Sequence, residues 1–310
     1  MKDKNKTMDT RMRPVIFSSH RPMLRAENLN AVWCAYDGYK TRMPVRGEQY
    51  SLQIADDFFP KYRAGKVIMI AHGAACCKTC GLDQPKPYLT RDRAKKITYV
   101  IAPSVETVGL IAKQSGVKEK QVLPFGLPRT DQYFRNERQA HEGRVYLYAP
   151  TFRRDDETQM PEIDWDWLDG QLTDGERIIV KAHMLTDPIL KKRYRHITEI
   201  PNTEPSAPYL QACDVLVTDY SSIMVDAHIL RIPVVLFEKK KGYTKTRGMY
   251  LPYPEGYASR YAETEAELLE LMRTADGQQE EDLRFLAFAA GACDGHATER
   301  IVKLIKEAVG

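Results

Sequence analysis

The residues of this chain best suited to chemistry recur just beyond short apolar runs. His72 follows Lys66-Val67-Ile68-Met69-Ile70, and Lys181 and His183 follow Arg177-Ile178-Ile179-Val180. Thr151 and Arg153 follow Val145-Tyr146-Leu147-Tyr148, Arg129 follows Gln121 to Phe125, and Thr218-Asp219-Tyr220-Ser221-Ser222 closes Val215-Leu216-Val217. An imidazole titrates near neutral pH and suits proton transfer, whereas guanidinium, ammonium and hydroxyl groups suit an anion such as phosphate. Short, apolar, β-branched runs read as strands buried on both faces, and α/β sheets meet their ligands beyond the carboxyl ends of such strands. The pattern therefore predicts anion binding and proton transfer at the carboxyl ends of strands in both halves of the chain.

Residues 213–238 form the clearest unit. Val215 to Val217 reads as a strand, Ser221 and Ser222 are N-cap residue types, and Met224, Val225 and Ile229 follow at helical spacing. Pro233 is expected to close the helix before a second buried strand, Val234 to Phe237. The start of such a helix carries about half a positive charge and free N–H groups, so it receives phosphate readily. A plain Ser-capped helix satisfies the same letters, and only the neighbouring strand ends argue for more.

These elements repeat along the chain. A first strand is expected over Pro14 to Ser19, helical spacing near Asn30 to Cys34, and a strand over Ile97 to Ile101, with Ser104 capping a helix that stops near Gly116. Gly126-Leu127-Pro128-Arg129-Thr130-Asp131 offers one cation beside one carboxylate. Either the two lock the loop as a pair or the guanidinium reaches a phosphate. Residues 135–144 are almost wholly polar and mark a domain boundary. Thr264 and Glu267 make a capping box, and an amphipathic helix carries Ile301, Val302, Leu304 and Ile305. The expected organisation is a basic arm over 1–13, a domain over 14–140 and a domain over 141–310, the final helix packing back on the first domain. Both domains are Rossmann-like α/β units facing a cleft. No G-x-G-x-x-G fingerprint or G-x-x-x-x-G-K-[ST] loop is present, which argues against a dinucleotide dehydrogenase and a P-loop NTPase.

Composition narrows the partners. At 310 residues, with 43% hydrophobic and 28% charged residues, the chain has room for two ordinary domains. A formal net charge of +4 is too weak a basic bias for a dedicated nucleic-acid binder. No run approaches the ~18 apolar residues of a membrane span, and no apolar signal segment follows the start. The arm with Lys2, Lys4, Lys6, Arg11 and Arg13 is either a solvated tail or a contact for an anionic membrane surface. Six cysteines without a signal segment fit a reduced cytoplasmic setting. Cys77-Lys78-Thr79-Cys80 is a lone C-x-x-C, and without a second pair no metal site is expected from it.

Taken in order, several of these pieces resemble the CDP-glycerol glycerophosphotransferase family, which builds or primes teichoic-acid-type polymers. They are Ala71-His72-Gly73 with Lys78 and Gly81-Leu82-Asp83, Gly126 to Asp131, Tyr148 to Arg153, Lys181-Ala182-His183, Asp214 to Asp226, Arg247-Gly248-Met249-Tyr250 and Asp294-Gly295 before Glu299-Arg300-Ile301. Thr218-Asp219-Tyr220-Ser221-Ser222 is the most specific. The resemblance implies a GT-B architecture and transfer of glycerol phosphate from CDP-glycerol to a hydroxyl of a lipid-linked or polymeric acceptor, with release of CMP. CDP-ribitol is the alternative donor, and a nucleotide-sugar glycosyltransferase or epimerase the alternative activity. It further implies His72 and His183 as catalytic residues. Arg129, Thr151, Arg153, Lys181, Thr218, Ser221, Ser222, Asp226 and Arg247 would hold the donor. No organic cofactor is implied; a divalent cation such as Mg2+ is one way to neutralise the pyrophosphate. Ala71 and Ala74-Ala75 stand where the family usually has Trp and Thr-Pro, and the cysteines beside them alter the acceptor side.

Overall fold

The computed structural model describes residues 13–18, 27–36, 49–55, 63–70, 76–84, 89–135, 138, 141–153, 162–183, 186–239 and 248–309. Two all-parallel sheets organise them. The first contains β1 (Arg13–Ser18), β2 (Gln49–Ala55), β3 (Arg63–Ile70), β4 (Tyr99–Ile101) and β5 (Val122–Leu123), side by side in chain order. The second contains β6 (Arg144–Tyr148), β7 (Glu176–Val180), β8 (Ile197–Glu199), β9 (Val215–Thr218), β10 (Val234–Phe237) and β11 (Arg260–Ala262), in the order β11-β10-β9-β6-β7-β8. Counted from β6, that is the 3-2-1-4-5-6 arrangement of a doubly wound sheet, whose direction of travel reverses between β6 and β9.

Alternation along the buried strands supplies two cores per sheet. In the second sheet Val145, Leu147, Leu216, Val234 and Leu236 face one side, where α6 (Ile223–Ile229) and α8 (Glu280–Ala290) cover them with Met224, Val225, Phe285 and Ala289. Tyr146, Tyr148, Val215, Val217, Val235 and Phe237 face the other, under Leu168 of α4 (Trp165–Gln171) and Leu268 and Met272 of α7 (Glu265–Thr274). The Thr264–Glu267 capping box forms at the start of α7. A short α5 (Ala207–Gln211) precedes β9.

In the first sheet Leu52, Ile54, Ile68 and Ile70 meet Leu29 and Val32 of α1 (Glu27–Tyr36) together with Ile301 and Ile305 of α9 (Ala297–Val309). Met69, Val100 and Val122 meet Ala94 of α2 (Arg91–Ala94) and Ile111 and Ala112 of α3 (Val108–Ser115) on the opposite side. The last helix thus lies on the first sheet, and Lys66 Nζ donates to Ala308 O at 3.0 Å.

Several local expectations change. Thr107, not Ser104, is the N-cap of α3; the Ser104 hydroxyl instead accepts from Thr107 N at 3.2 Å and donates to Phe288 O, joining the units. Helix α6 stops before Pro233, because Arg231 adopts φ 58°, a left-handed turn that ends the helix two residues earlier. Gly116 does close α3, at φ 68°.

Candidate functional site at the strand ends of the second sheet

A reversal of strand order leaves a crevice beyond the carboxyl ends of the two strands that flank it. Here those strands are β6 and β9, so the crevice is bounded by Ala149-Pro150-Thr151-Phe152-Arg153 and Asp219-Tyr220-Ser221-Ser222. One carboxylate ties the two turns together. Asp219, 1% exposed, accepts Thr151 N at 2.7 Å and Tyr220 N at 2.6 Å through Oδ1, and Arg153 Nη2 at 2.6 Å through Oδ2. The Arg153 guanidinium also donates to Thr151 O at 2.8 Å and lies 5.5 Å from the Tyr220 ring centre. Burial and a hydrogen bond to Glu238 drive the Tyr220 hydroxyl pKa far up, so it stays neutral. Its ring packs 4.4 Å from that of Tyr253.

His183, beyond β7, stacks on Phe152 with ring centres 5.4 Å apart. The strand ends of β6, β7 and β9 therefore bring Thr151, Arg153, His183, Ser221 and Ser222 to one edge. Ser221 and Ser222 are partly exposed. Ser222 is the N-cap of α6 by position, yet its side chain makes no capping bond; only Ser221 Oγ accepts from Ile223 N, at 3.5 Å. The expected Ser cap is corrected to a turn whose hydroxyls do little for the helix. Thr151 Oγ1 is buried and has no hydrogen-bond partner, a cost that a polar ligand would relieve.

Other expected donor ligands use their polar atoms inside the protein. Thr218 is fully buried and its hydroxyl donates to Ala149 O at 2.6 Å, fastening β9 to β6. Lys181 donates to Ala182 O and Asn202 O, both at 3.1 Å, and burial lowers its pKa. Arg129 does not pair with Asp131. Its guanidinium meets Asp226 of α6 at 3.2 Å, while Asp131 accepts Ala297 N and Thr298 N at the start of α9. Asp226 pairs with Arg129 in turn, through Oδ2, while Asp226 Oδ1 and Arg129 Nη1 are buried without a hydrogen bond. His72 and Arg247 lie outside the described residues, so the geometry between His72 and Ser221 does too.

The reading from residue types passed over Asp219, Tyr220, Phe152 and Glu238. A carboxylate does not attract a phosphate, which hid Asp219 as an organiser of donors. Its signal was position: an acceptor-only group at a strand end, beside backbone N–H groups that need partners.

Between the units, residues 76–80 form a strap. Thr79 N donates to Gly248 O at 2.8 Å, Tyr257 Oη donates to Cys77 O at 2.8 Å, and Cys76 and Cys77 are buried in the second unit's core. The side-chain hydrogen bond with Cys77, and burial, push the Cys76 pKa well up, so Cys76 is not a reactive thiolate.

Two parallel α/β units, with a switch-point crevice in the second and the final helix returned to the first, define a GT-B-like protein. The profile of the CDP-Glycerol:Poly(glycerophosphate) glycerophosphotransferase family matches residues 45–307, and the chain belongs to that family. It is 24% identical over 296 residues to the teichoic acid ribitol-phosphate polymerase TarL of Staphylococcus aureus, covering 85% of this chain and 53% of that one. It is 28% identical over 222 residues to a teichoic acid glycerol-phosphate primase of Bacillus subtilis, covering 63% and 58%. The chain thus spans little more than half the length of these curated relatives. Its fold is similar to that of the wall teichoic acid polymerase TagF, with a TM-score of 0.73, 20% identity, and coverage of 96% of this chain and 89% of that one.

Proposed function

We propose that the chain transfers glycerol phosphate from CDP-glycerol to a hydroxyl of a lipid-linked or polymeric cell-wall or capsule acceptor, releasing CMP. The observation that carries this reading is the crevice between β6 and β9. Ser221 and Ser222 are left with hydroxyls open to a ligand, beside the buried, unpartnered hydroxyl of Thr151. Family membership supplies the class of donor.

In the reaction the acceptor oxygen forms a bond to the β-phosphorus, and the bond from that phosphorus to the bridging oxygen breaks. The electron pair leaves with CMP, and the acceptor proton passes to a base, the role assigned to His72. General-base help is worth ~10²–10⁴ in rate. The turn at Ser221-Ser222 and the backbone N–H groups behind it would spread the charge that develops on the leaving phosphate. His183, on its Phe152 platform, would donate to a phosphate oxygen. Arg153, held by Asp219, would present N–H donors in a fixed orientation without reorganising. No group of three or more His, Cys, Asp or Glu among the described residues could hold a metal ion. A divalent cation such as Mg2+ would serve to neutralise the charge of the pyrophosphate.

CDP-ribitol is the second reading, favoured by the similarity to TarL, a ribitol-phosphate polymerase. A clamp on the pyrophosphate serves either alditol. Purified protein given CDP-glycerol, CDP-ribitol or a UDP-sugar with a hydroxyl acceptor tests both. CMP release with CDP-glycerol supports the first reading and with CDP-ribitol alone the second, while UDP release or no turnover overturns both.

Among the described residues no helix is long and apolar enough to cross a membrane. For a lipid-linked acceptor we place the protein at the cytoplasmic face of the plasma membrane, in peripheral contact. Arg91, Lys95, Lys96 and Lys66 are each exposed, and such cations are suited to anionic lipid, although Lys95 is paired with Asp92 at 3.1 Å. Sedimentation with phosphatidylglycerol vesicles, lost at high salt, is the expected result.

A further inference from the structure

Arg129 and Asp226 come from different units and bury a charge pair where those units join. Arg129 sits in the 3-10 turn Pro128–Phe134 that follows β5; Asp226 lies one turn into α6, four residues beyond Ser222. Nη2 is 3.2 Å from each carboxylate oxygen and Nε 3.4 Å from Oδ2, with the two residues 6% and 7% exposed. We infer that this pair is a positioning device through which the first unit fixes the α6 turn. The inference rests on the reading that the donor lies at Ser221-Ser222.

Three features carry it. Helix α6 has seven residues, too few to hold its own geometry, and depends on what pins it. The loop that pins it is itself fixed from several sides. Arg129 N donates to Asn28 Oδ1 of α1 at 3.0 Å, Asp131 receives the first N–H groups of α9, and Leu127 N reaches Cys293 Sγ at 3.3 Å. Two carboxylates hold the guanidinium, Asp226 at 3.2 Å and Glu27 at 3.8 Å, and among the described residues Tyr133 and Cys293 also face it. Nε and Nη2 are engaged by Asp226, and only Nη1, buried and without a hydrogen bond, is left over, so a guanidinium withdrawn from Asp226 would strand a buried carboxylate.

Calorimetric titration of CDP-glycerol into Arg129→Gln, Asp226→Asn and the double variant tests the inference. Residues acting as one unit are non-additive, so each single variant should weaken the donor about tenfold, and the double no further. Arg129→Lys should recover only part, because an ammonium cannot reproduce the fork. Wild-type affinity in Asp226→Asn with loss in Arg129→Gln would make Arg129 a donor ligand and overturn the proposal. If the wild type itself binds no CDP-glycerol, the donor reading has failed, and amide exchange without ligand judges the pair alone. Residues 223–229 should then exchange about tenfold faster in Asp226→Asn, and unchanged exchange rejects the pair's role. Should Asp226→Asn not fold, Asp226→Glu, which keeps the charge and shifts its position, is read by the same measurements.

Discussion

The carboxylate of Asp219 receives the backbone N–H of Thr151 at 2.7 Å, across the two strands where the second sheet reverses direction. The same group holds Arg153, so one side chain sets both walls of the crevice. Asp219→Asn leaves the Arg153 guanidinium buried without its counter-charge. Removing one partner of a buried pair costs about 3 kcal/mol, and the urea midpoint should fall accordingly. Donor affinity should fall with it. A midpoint equal to wild type would contradict the organising role.

Ser221 and Ser222 give little to the stability of α6, since neither makes a strong capping bond. The Ser221→Ala/Ser222→Ala double variant should therefore unfold within about 0.5 kcal/mol of wild type. Its affinity for CDP-glycerol should fall about 10–100-fold, the worth of one or two hydrogen bonds to a charged group. Large destabilisation with unchanged affinity would return these serines to ordinary capping.

His72→Ala should reduce turnover ~10²–10⁴-fold while leaving donor affinity nearly intact. His183→Ala should instead raise the donor dissociation constant, because its ring stands beside Phe152 at the strand ends that bound the crevice. Calorimetry paired with CMP-release assays separates the two, and equal loss of affinity in both variants would refute the division of labour.

His228 makes stability depend on pH. It is fully buried; Nδ1 faces Gln278 Nε2 at 3.3 Å and Nε2 faces Tyr257 O at 3.1 Å, a pattern that requires a neutral ring protonated on Nε2. Burial lowers its pKa from 6.5 to about 4, against the pull of Asp282. The folded state thus resists a proton that the unfolded chain accepts. This group's contribution is complete above pH 6.5 and is lost as pH falls toward 4, on the order of 3 kcal/mol in total. Asp226 acts in the opposite sense. Burial raises it from 3.8 to about 6, so its contribution is complete below 3.8 and is lost as pH rises through 6. The difference between wild type and His228→Gln isolates the histidine; parallel stability curves from pH 4 to 7 would rule the effect out.

Much of the second unit was legible because its strands are unbroken apolar runs. Val215 to Thr218 and Val234 to Phe237 appear where the letters put them. Strand β2 was not read, because Ser51 and Gln53 interrupt its apolar residues, and Gln53 is buried all the same. Strands β8 and β11, three residues each, are too short to show a period. The edge that gathers Thr151, Arg153, His183 and Ser221 was legible as polar residues after strands. What each polar atom touches was not. Arg129 meets Asp226 rather than Asp131 across 97 positions, a pairing set by how the two units dock.

Helix α9 completes the apolar face of a sheet whose last strand ends at Leu123. During synthesis that face waits for Ile301 and Ile305, which at ~5–20 residues per second leave the ribosome roughly 10–35 s later. The first unit cannot mature in the order it is translated. A nascent chain stalled between the two would present Leu52, Ile54, Ile68 and Ile70 covered on that side by Leu29 and Val32 of α1 but not by Ile301 and Ile305, a natural substrate for chaperones.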